Sequence, residues 1–318
     1  MNILVTGSAG FIGFHTAQLL LEKGHTVVGI DNFNDYYDPR LKGDRSLVLE
    51  MCENYRGYKI DIYDSEALAG AVSENKIELV CHLAAQAGVR YSIENPWAYQ
   101  RSNLDGFLSV LEVCRHQGVS RLVYASSSSV YGGNKKVPFS EQDPVDHPVS
   151  LYAATKKANE LMAHTYTHLY GFQTIGLRFF TVYGPWGRPD MAYWLFTKAM
   201  LEGESIKVFN FGKMRRDFTY IDDILKGIEA ALFNENLDKY EIFNLGNCRS
   251  ETLMDMIGII AASLEVEPEM KMMPMQQGDV EITYANIDKA HAKLGYEPSI
   301  PISVGLPKFI EWYKSYLI

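Results

Sequence analysis

Met1-Asn2-Ile3-Leu4-Val5-Thr6-Gly7-Ser8-Ala9-Gly10-Phe11-Ile12-Gly13 opens the chain and decides its fold. A short apolar run passes directly into three glycines spaced three apart. A helical pattern follows, with Phe14, Ala17, Leu20 and Leu21 on one side, and it stops at Gly24, the residue type that commonly ends a helix. Val27-Val28-Gly29-Ile30 then reads as a second strand closing on Asp31. Strand, glycine turn, helix, strand and acid fit within a unit of about 30 residues. Such a turn lets the backbone approach a pyrophosphate at a helix N-terminus, and the carboxylate meets ribose hydroxyls. Asp31 favours NAD over NADP, because a carboxylate repels a 2′-phosphate.

Outward from that unit, strands and helices alternate. Leu79-Val80-Cys81-His82 and Leu122-Val123-Tyr124-Ala125 read as buried parallel strands, residues 98–117 and 151–170 as helices, and Thr174-Ile175-Gly176-Leu177-Arg178 as a further strand. The expectation is an α/β chain with a Rossmann-type doubly wound parallel sheet, whose ligand lies beyond the carboxyl ends of the strands. The rhythm breaks after residue 181, at Gly184-Pro185-Trp186-Gly187-Arg188-Pro189. Residues 1–180 are therefore assigned to an NAD-binding domain. Residues 181–318 are assigned mainly to a smaller substrate-binding lobe, some of whose segments return to the first domain. Residues 33–45, with two tyrosines, Pro39 and six charged residues, read as a mobile surface loop.

Composition narrows the partners. Lys and Arg number 30 against 39 Asp and Glu, a net charge of −9, which argues against nucleic acid or an anionic membrane. The first strand begins at residue 2, leaving no room for a signal peptide, and no apolar run approaches membrane-spanning length. A cytoplasmic protein is expected. The four cysteines, Cys52, Cys81, Cys114 and Cys248, have no C-x-x-C spacing and read as reduced structural thiols. His164 and His168 lack the Glu of a zinc helix, so no metal site is expected.

Chemistry concentrates in Ser126-Ser127-Ser128-Ser129-Val130-Tyr131-Gly132 and Leu151-Tyr152-Ala153-Ala154-Thr155-Lys156. On a helix, Tyr152 and Lys156 lie one turn apart on one face, so an ammonium would favour the phenolate of Tyr152 and make it a base. A serine from the preceding strand end could share the substrate oxygen and its proton. The alternative is a Tyr at a helix start with a Lys on a solvated face.

Together these stretches resemble the extended short-chain dehydrogenase/reductase family, specifically its nucleotide-sugar epimerases, over nearly the whole chain. The resemblance rests on the Gly7/Gly10/Gly13 turn, Asp61-Ile62, Leu83-Ala84-Ala85-Gln86, Asn103, the serine run, Tyr152/Lys156, Leu177-Arg178-Phe179-Phe180, Arg216-Asp217-Phe218 and Gly278-Asp279. It implies Tyr152 as the base on the sugar 4-hydroxyl, Ser127 sharing that hydrogen bond, and Lys156 on the nicotinamide ribose. It also implies a cofactor site of Gly7, Gly10, Phe11, Ile12, Gly13, Asp31, Asn32, Asp61, Ile62, Leu83, Ala84, Ala85, Gln86, Asn103, Ser126, Tyr152, Lys156 and Phe179. Arg216 and Asp279 match positions that hold the nucleotide diphosphate and ribose; Arg90, Ser127 and Ser128 complete that side. A homodimer through helices 98–117 and 151–170 follows from the family alone.

The implied reaction is NAD-dependent 4-epimerisation of a UDP-sugar through a transient 4-keto intermediate. The stretch 179–192 resembles the signature of UDP-glucuronate 4-epimerases, with Thr181 where galactose epimerases carry Asn. Arg188 matches a sugar carboxylate in two parallel hydrogen bonds, the alternative being a phosphate contact or a helix cap. UDP-glucuronate to UDP-galacturonate is the expected conversion, with UDP-galactose/UDP-glucose 4-epimerase and UDP-glucuronate decarboxylase as alternatives. A 4,6-dehydratase would need an acid and a base where Ser128 and Ser129 stand, and the decarboxylases usually carry a Glu near the serine. A non-catalytic dinucleotide sensor would have lost Tyr152 or Lys156. Gln277 stands where some relatives place an Arg before Gly-Asp, with Arg215 as a substitute contact. Asp222-Asp223 reads as a helix cap.

Overall fold

The computed structural model describes residues 1–276 and 280–317. Its centre is a seven-stranded, all-parallel sheet. Six strands come from the first part of the chain: β1 (Asn2–Thr6), β2 (Thr26–Asp31), β3 (Tyr55–Lys59), β4 (Leu79–His82), β5 (Arg121–Ser127) and β6 (Gln173–Phe179). The seventh is Tyr240–Leu245, which pairs with β6 from Tyr240↔Thr174 to Leu245↔Phe179. From that strand the order runs β6, β5, β4, β1, β2, β3, so the direction of winding reverses between β1 and β4. A crevice opens at such a reversal, outside the strand ends.

Side chains alternate across the sheet, as a two-residue period requires. Ile3, Val5, Val27, Cys81, Val123 and Ile175 enter one core cluster, while Leu4, Val28, Val80, Leu122 and Tyr124 enter the other. Helix α1 (Phe11–Glu22) buries Phe14, Ala17 and Leu20 against the first face. Covered on both faces, the central strands are nearly all apolar, which is why they stand out in the sequence. Edge strand β3, YRGYK, is half exposed and carries no such signal. Nor does Tyr240–Leu245, which carries Glu241 and Asn244.

Three expectations change. The helix expected over 98–117 is built from Pro96–Tyr99, a π-helical stretch Gln100–Asp105 and Gly106–Gln117. Of residues 33–45 only 33–38 are irregular: Asp38 caps a helix Pro39–Glu50, and Arg45 is 0% exposed. Asp223 does not cap Ile221–Phe233. It lies fully buried in the first turn and accepts from the backbone of Ser299 and Ile300, fastening a distant segment to that helix. Among the described residues no helix is long and apolar enough to cross a membrane.

Candidate active site

A continuous cavity of about 860 Å³ lies along the carboxyl ends of the strands, within the size range of small-molecule and cofactor sites. One end is lined by Asp31, Asn32, Asp61 and Ile62, the middle by the glycine turn with Leu83, Ala84, Ala85 and Gln86, and the far end by Tyr152, Lys156, Thr181, Arg188 and Arg216.

The turn is closed to any side chain. Gly7 has φ +72°, and a Cβ there would sit 2.8 Å from the Ala84 nitrogen; one on Gly13 would sit 2.0 Å from the Gly7 carbonyl. That close approach brings the start of α1 to the cavity, where Phe11, Ile12 and Gly13 line it. The helix begins at Gly10 with no side-chain cap and no acid in its first turn, so its N-terminal amides remain available to an anion. Asp31 accepts from the amides of Ala9 and Phe33, 3.1 and 2.9 Å, and burial raises its carboxyl pKa despite nearby Lys42. Asn32 donates to Asp61 at 2.8 Å. An open helix end, a side-chain-free turn and an acid at the second strand end fit a dinucleotide.

Two residues expected to touch the cofactor commit their side chains to neighbouring protein groups. Asn103 sits in the π-helical stretch and spends its side chain on Gln86 and Thr155: the Gln86 amide donates to it at 2.8 Å, and its Nδ2 donates to the Gln86 carbonyl at 3.0 Å. It therefore braces the 83–88 turn from behind, and its neighbour Ser102 reaches the cavity wall. Ser126 lines the cavity, but its hydroxyl donates to Glu160 at 2.7 Å. Glu160 also pairs with buried Arg178, whose guanidinium meets Tyr131.

At the reacting end, β5 terminates in Ser127, and the helix Leu151–Tyr170, capped by Ser150, presents Tyr152 in its first turn. Burial raises the Tyr152 phenol above its ordinary value, against the pull of the Ser127 hydroxyl and the Arg188 charge. Lys156, one turn along the same helix, donates its ammonium to the Ala125 carbonyl at 2.9 Å, and burial pushes its pKa down to about 8. Behind it, His82 is held neutral by burial, its pKa pushed down to about 3, with Nδ1 2.8 Å from the Thr6 hydroxyl.

Thr181 and Arg216 reach the cavity because strand Thr181–Tyr183 pairs with Phe218–Tyr220. Arg90 and Ser128 join them there, Arg90 with its guanidinium 5.3 Å from the Phe209 ring. Arg216 donates to the carbonyls of Arg215 and Glu281. Asp217 beneath it is fully buried and accepts from Thr219, Asn247 and Ala285; burial pushes its carboxyl up to about 6. Arg215 bonds the hydroxyl and carbonyl of Ser250 and is not among the described residues that line the cavity. Asp279 lies outside the described residues, as do Gln277 and Gly278.

Arg188 does line the cavity, and it is already paired. Its Nε and Nη2 hold Asp190 side-on at 3.0 and 2.5 Å, and Tyr36 donates to the same carboxylate at 3.0 Å. Burial alone would raise the Asp190 pKa, but Arg188 outweighs it and holds the carboxyl below its usual range. Tyr36, Tyr37, Lys42 and Asp190 all line the cavity, and none was singled out for the site from sequence. For Tyr36, Tyr37 and Lys42 the composition of 33–45 was the only signal, and it equally describes a solvated loop; Asp190 lies within the 179–192 stretch, where Arg188 drew the attention.

Residues 3–246 match the NAD dependent epimerase/dehydratase family. UDP-glucuronate 4-epimerase 4 of Arabidopsis thaliana is 49% identical, over 99% of this chain and 76% of its own length. Among solved structures, UDP-glucuronic acid 4-epimerase from Bacillus cereus, in complex with UDP-glucuronic acid and NAD, superposes with a TM-score of 0.92 at 34% identity. The match covers 99% of this chain and all of that one. The UDP-glucose 4-epimerase of Thermotoga maritima with UDP-glucose gives 0.90 at 32% identity, both chains covered in full.

Proposed function

The chain belongs to the NAD dependent epimerase/dehydratase family, and from that premise we propose that it inverts carbon 4 of a UDP-sugar, converting UDP-glucuronate to UDP-galacturonate. The observation that carries this reading is the meeting of Tyr152, Ser127 and the Arg188 charge at one end of a cavity whose other end is the glycine turn. NAD, when bound, supplies an acceptor that takes a hydride and returns it within one turnover. Tyr152 takes the proton of the 4-hydroxyl and gives it back. Ser127 hydrogen-bonds the same oxygen, Lys156 orients the nicotinamide ribose, and Arg216 holds the diphosphate. Arg90 and Ser128 contribute on the same side.

A C4 ketone beside a C5 carboxylate is a β-keto acid, which loses carbon dioxide when its carboxylate bond aligns with the carbonyl π system. Thr181 and Arg188 keep the carboxylate out of that alignment by fixing its direction. Asp190 takes the Nε–Nη2 edge of the Arg188 guanidinium, and a second carboxylate would meet the Nη1–Nη2 edge. We also infer a homodimer built on the helices Gly106–Gln117 and Leu151–Tyr170, supported by the exposed Leu108, Leu161 and Leu169.

Purified protein, without added NAD, is incubated with UDP-glucuronate, UDP-galactose and UDP-glucose in turn, and epimer and carbon dioxide are measured separately. The expected outcome is epimer from the acid with little gas. Conversion of the neutral sugars but not the acid would overturn the substrate assignment.

A further inference from the structure

The segment that leaves β2 grips the stretch carrying Arg188 at two places. Tyr36 donates to Asp190, and the buried Arg45 donates through Nη2 to the carbonyls of Trp186 and Gly187, 2.5 and 3.0 Å away. Arg45 also donates through Nη1 to the carbonyl of Ala9 in the glycine turn, at 2.9 Å. One cation therefore joins the dinucleotide turn to the backbone beside Arg188. The Tyr36 ring is itself fixed: it lies 4.8 Å from that of Tyr91, and a Cβ on Gly88 would sit 2.7 Å from its hydroxyl.

We propose that Tyr36 and Asp190 are specificity-determining positioning residues, which clamp one edge of the Arg188 guanidinium so that its other edge reads the acid group of the sugar. This rests on the acid-sugar reading above. A side-on carboxylate fixes the guanidinium plane, and the Tyr36 hydroxyl fixes that carboxylate in turn. The clamp also makes Arg188 and Asp190 a net-neutral pair. Selection of an anion then depends on directed hydrogen bonds, because the excess positive charge has been cancelled.

The test compares wild type with Y36F and D190N, measuring KM and kcat for UDP-glucuronate and calorimetric affinity for UDP-glucuronate and UDP-glucose, with thermal unfolding as a folding control. In both variants the ratio of acid to neutral affinity should fall by about tenfold, as loss of a charge-assisted contact implies. The fall should appear in KM for the acid more than in kcat. A purely structural role would lower both affinities together. Wild-type preference for the acid with an unchanged ratio in Y36F and D190N would overturn the clamp and leave the substrate assignment standing. A greater acid preference in D190N would also overturn it, since bare charge would then be reading the sugar. No acid preference in wild type would overturn the substrate assignment, and the clamp with it.

Discussion

Lys156 shows what the folded chain asks of a side chain that spacing alone places beside Tyr152. One turn from Tyr152, it was expected to supply the charge that favours a phenolate, yet it is 2% exposed and bonds the Ala125 carbonyl. Its folded pKa of about 8 lies below the unfolded 10.5. Below pH 8 the folded chain therefore holds a desolvated ammonium at a cost of about 3 kcal/mol. From pH 8 towards 10.5 the unfolded chain keeps a proton the folded chain has released, and stability recovers. Lys156→Met lacks this term, so its stability relative to wild type should be higher at pH 7 than at pH 9.5, the margin narrowing by about 2 kcal/mol. Denaturant unfolding of nucleotide-free protein at the two pH values measures it, and an unchanged margin would mean the ammonium is not desolvated. Turnover of the variant should fall about 100-fold, the scale on which misplaced reacting groups cost rate, because Lys156 is the group proposed to orient the nicotinamide ribose.

The helices Gly106–Gln117 and Leu151–Tyr170 pack side by side, joined by Tyr166 donating to Glu112 and by Arg115 over the Tyr170 ring. Their outer faces nevertheless keep Leu161 58% and Leu169 61% exposed. Leu161→Glu would bring like charges onto both halves of a two-fold interface while costing the isolated fold only about 0.5 kcal/mol. In sedimentation the wild type should run near twice its 36.0 kDa chain mass and the variant near that mass. A monomeric wild type would end the dimer proposal. These helices were also the elements most legible in the sequence, along with β1, α1 and the central strands, because burial on one or both faces leaves a periodic apolar pattern. The π-helical stretch was not legible, since it repeats no pattern and exists to place Asn103 behind Gln86. Residues 33–45 misled for a related reason. Lys42 and Arg45 look like solvated charges until carbonyl acceptors from residues 9, 34, 186 and 187 are folded around them. Ser127, Tyr152 and Thr181 could be named from local motifs, whereas Tyr36 meets Asp190 across 154 residues, and no motif marks the pairing of Asp190 with Arg188 two residues away.

The first and last thirds of the chain share one core, which sets how the molecule must fold. The cluster that begins with Ile3, Val5 and Phe14 on the sheet continues through Ile224 and Ile228 to Phe309 and Tyr313. Strand Tyr240–Leu245 covers the edge of β6, and Arg121 at the start of β5 donates to the carbonyls of Ala231 and Leu232. Tyr316 reaches back to Asp44. A division into residues 1–180 and 181–318 therefore describes where ligands would bind more than how the chain folds. Cut at residue 180, the first piece would keep Arg178 and Glu160 buried without Asn244 behind Tyr131, and would expose β6 as an unpaired edge beside Ile175 and Leu177. Calorimetry of the whole chain should show one unfolding transition. Residues 1–180 alone should show none and should bind a hydrophobic dye, because one face of their sheet has lost its cover. A separate transition for the fragment, or two resolved transitions in the whole chain, would make the nucleotide-binding part an independent unit. The link from the glycine turn through Arg45 to the stretch carrying Arg188 would then have to form after folding rather than with it.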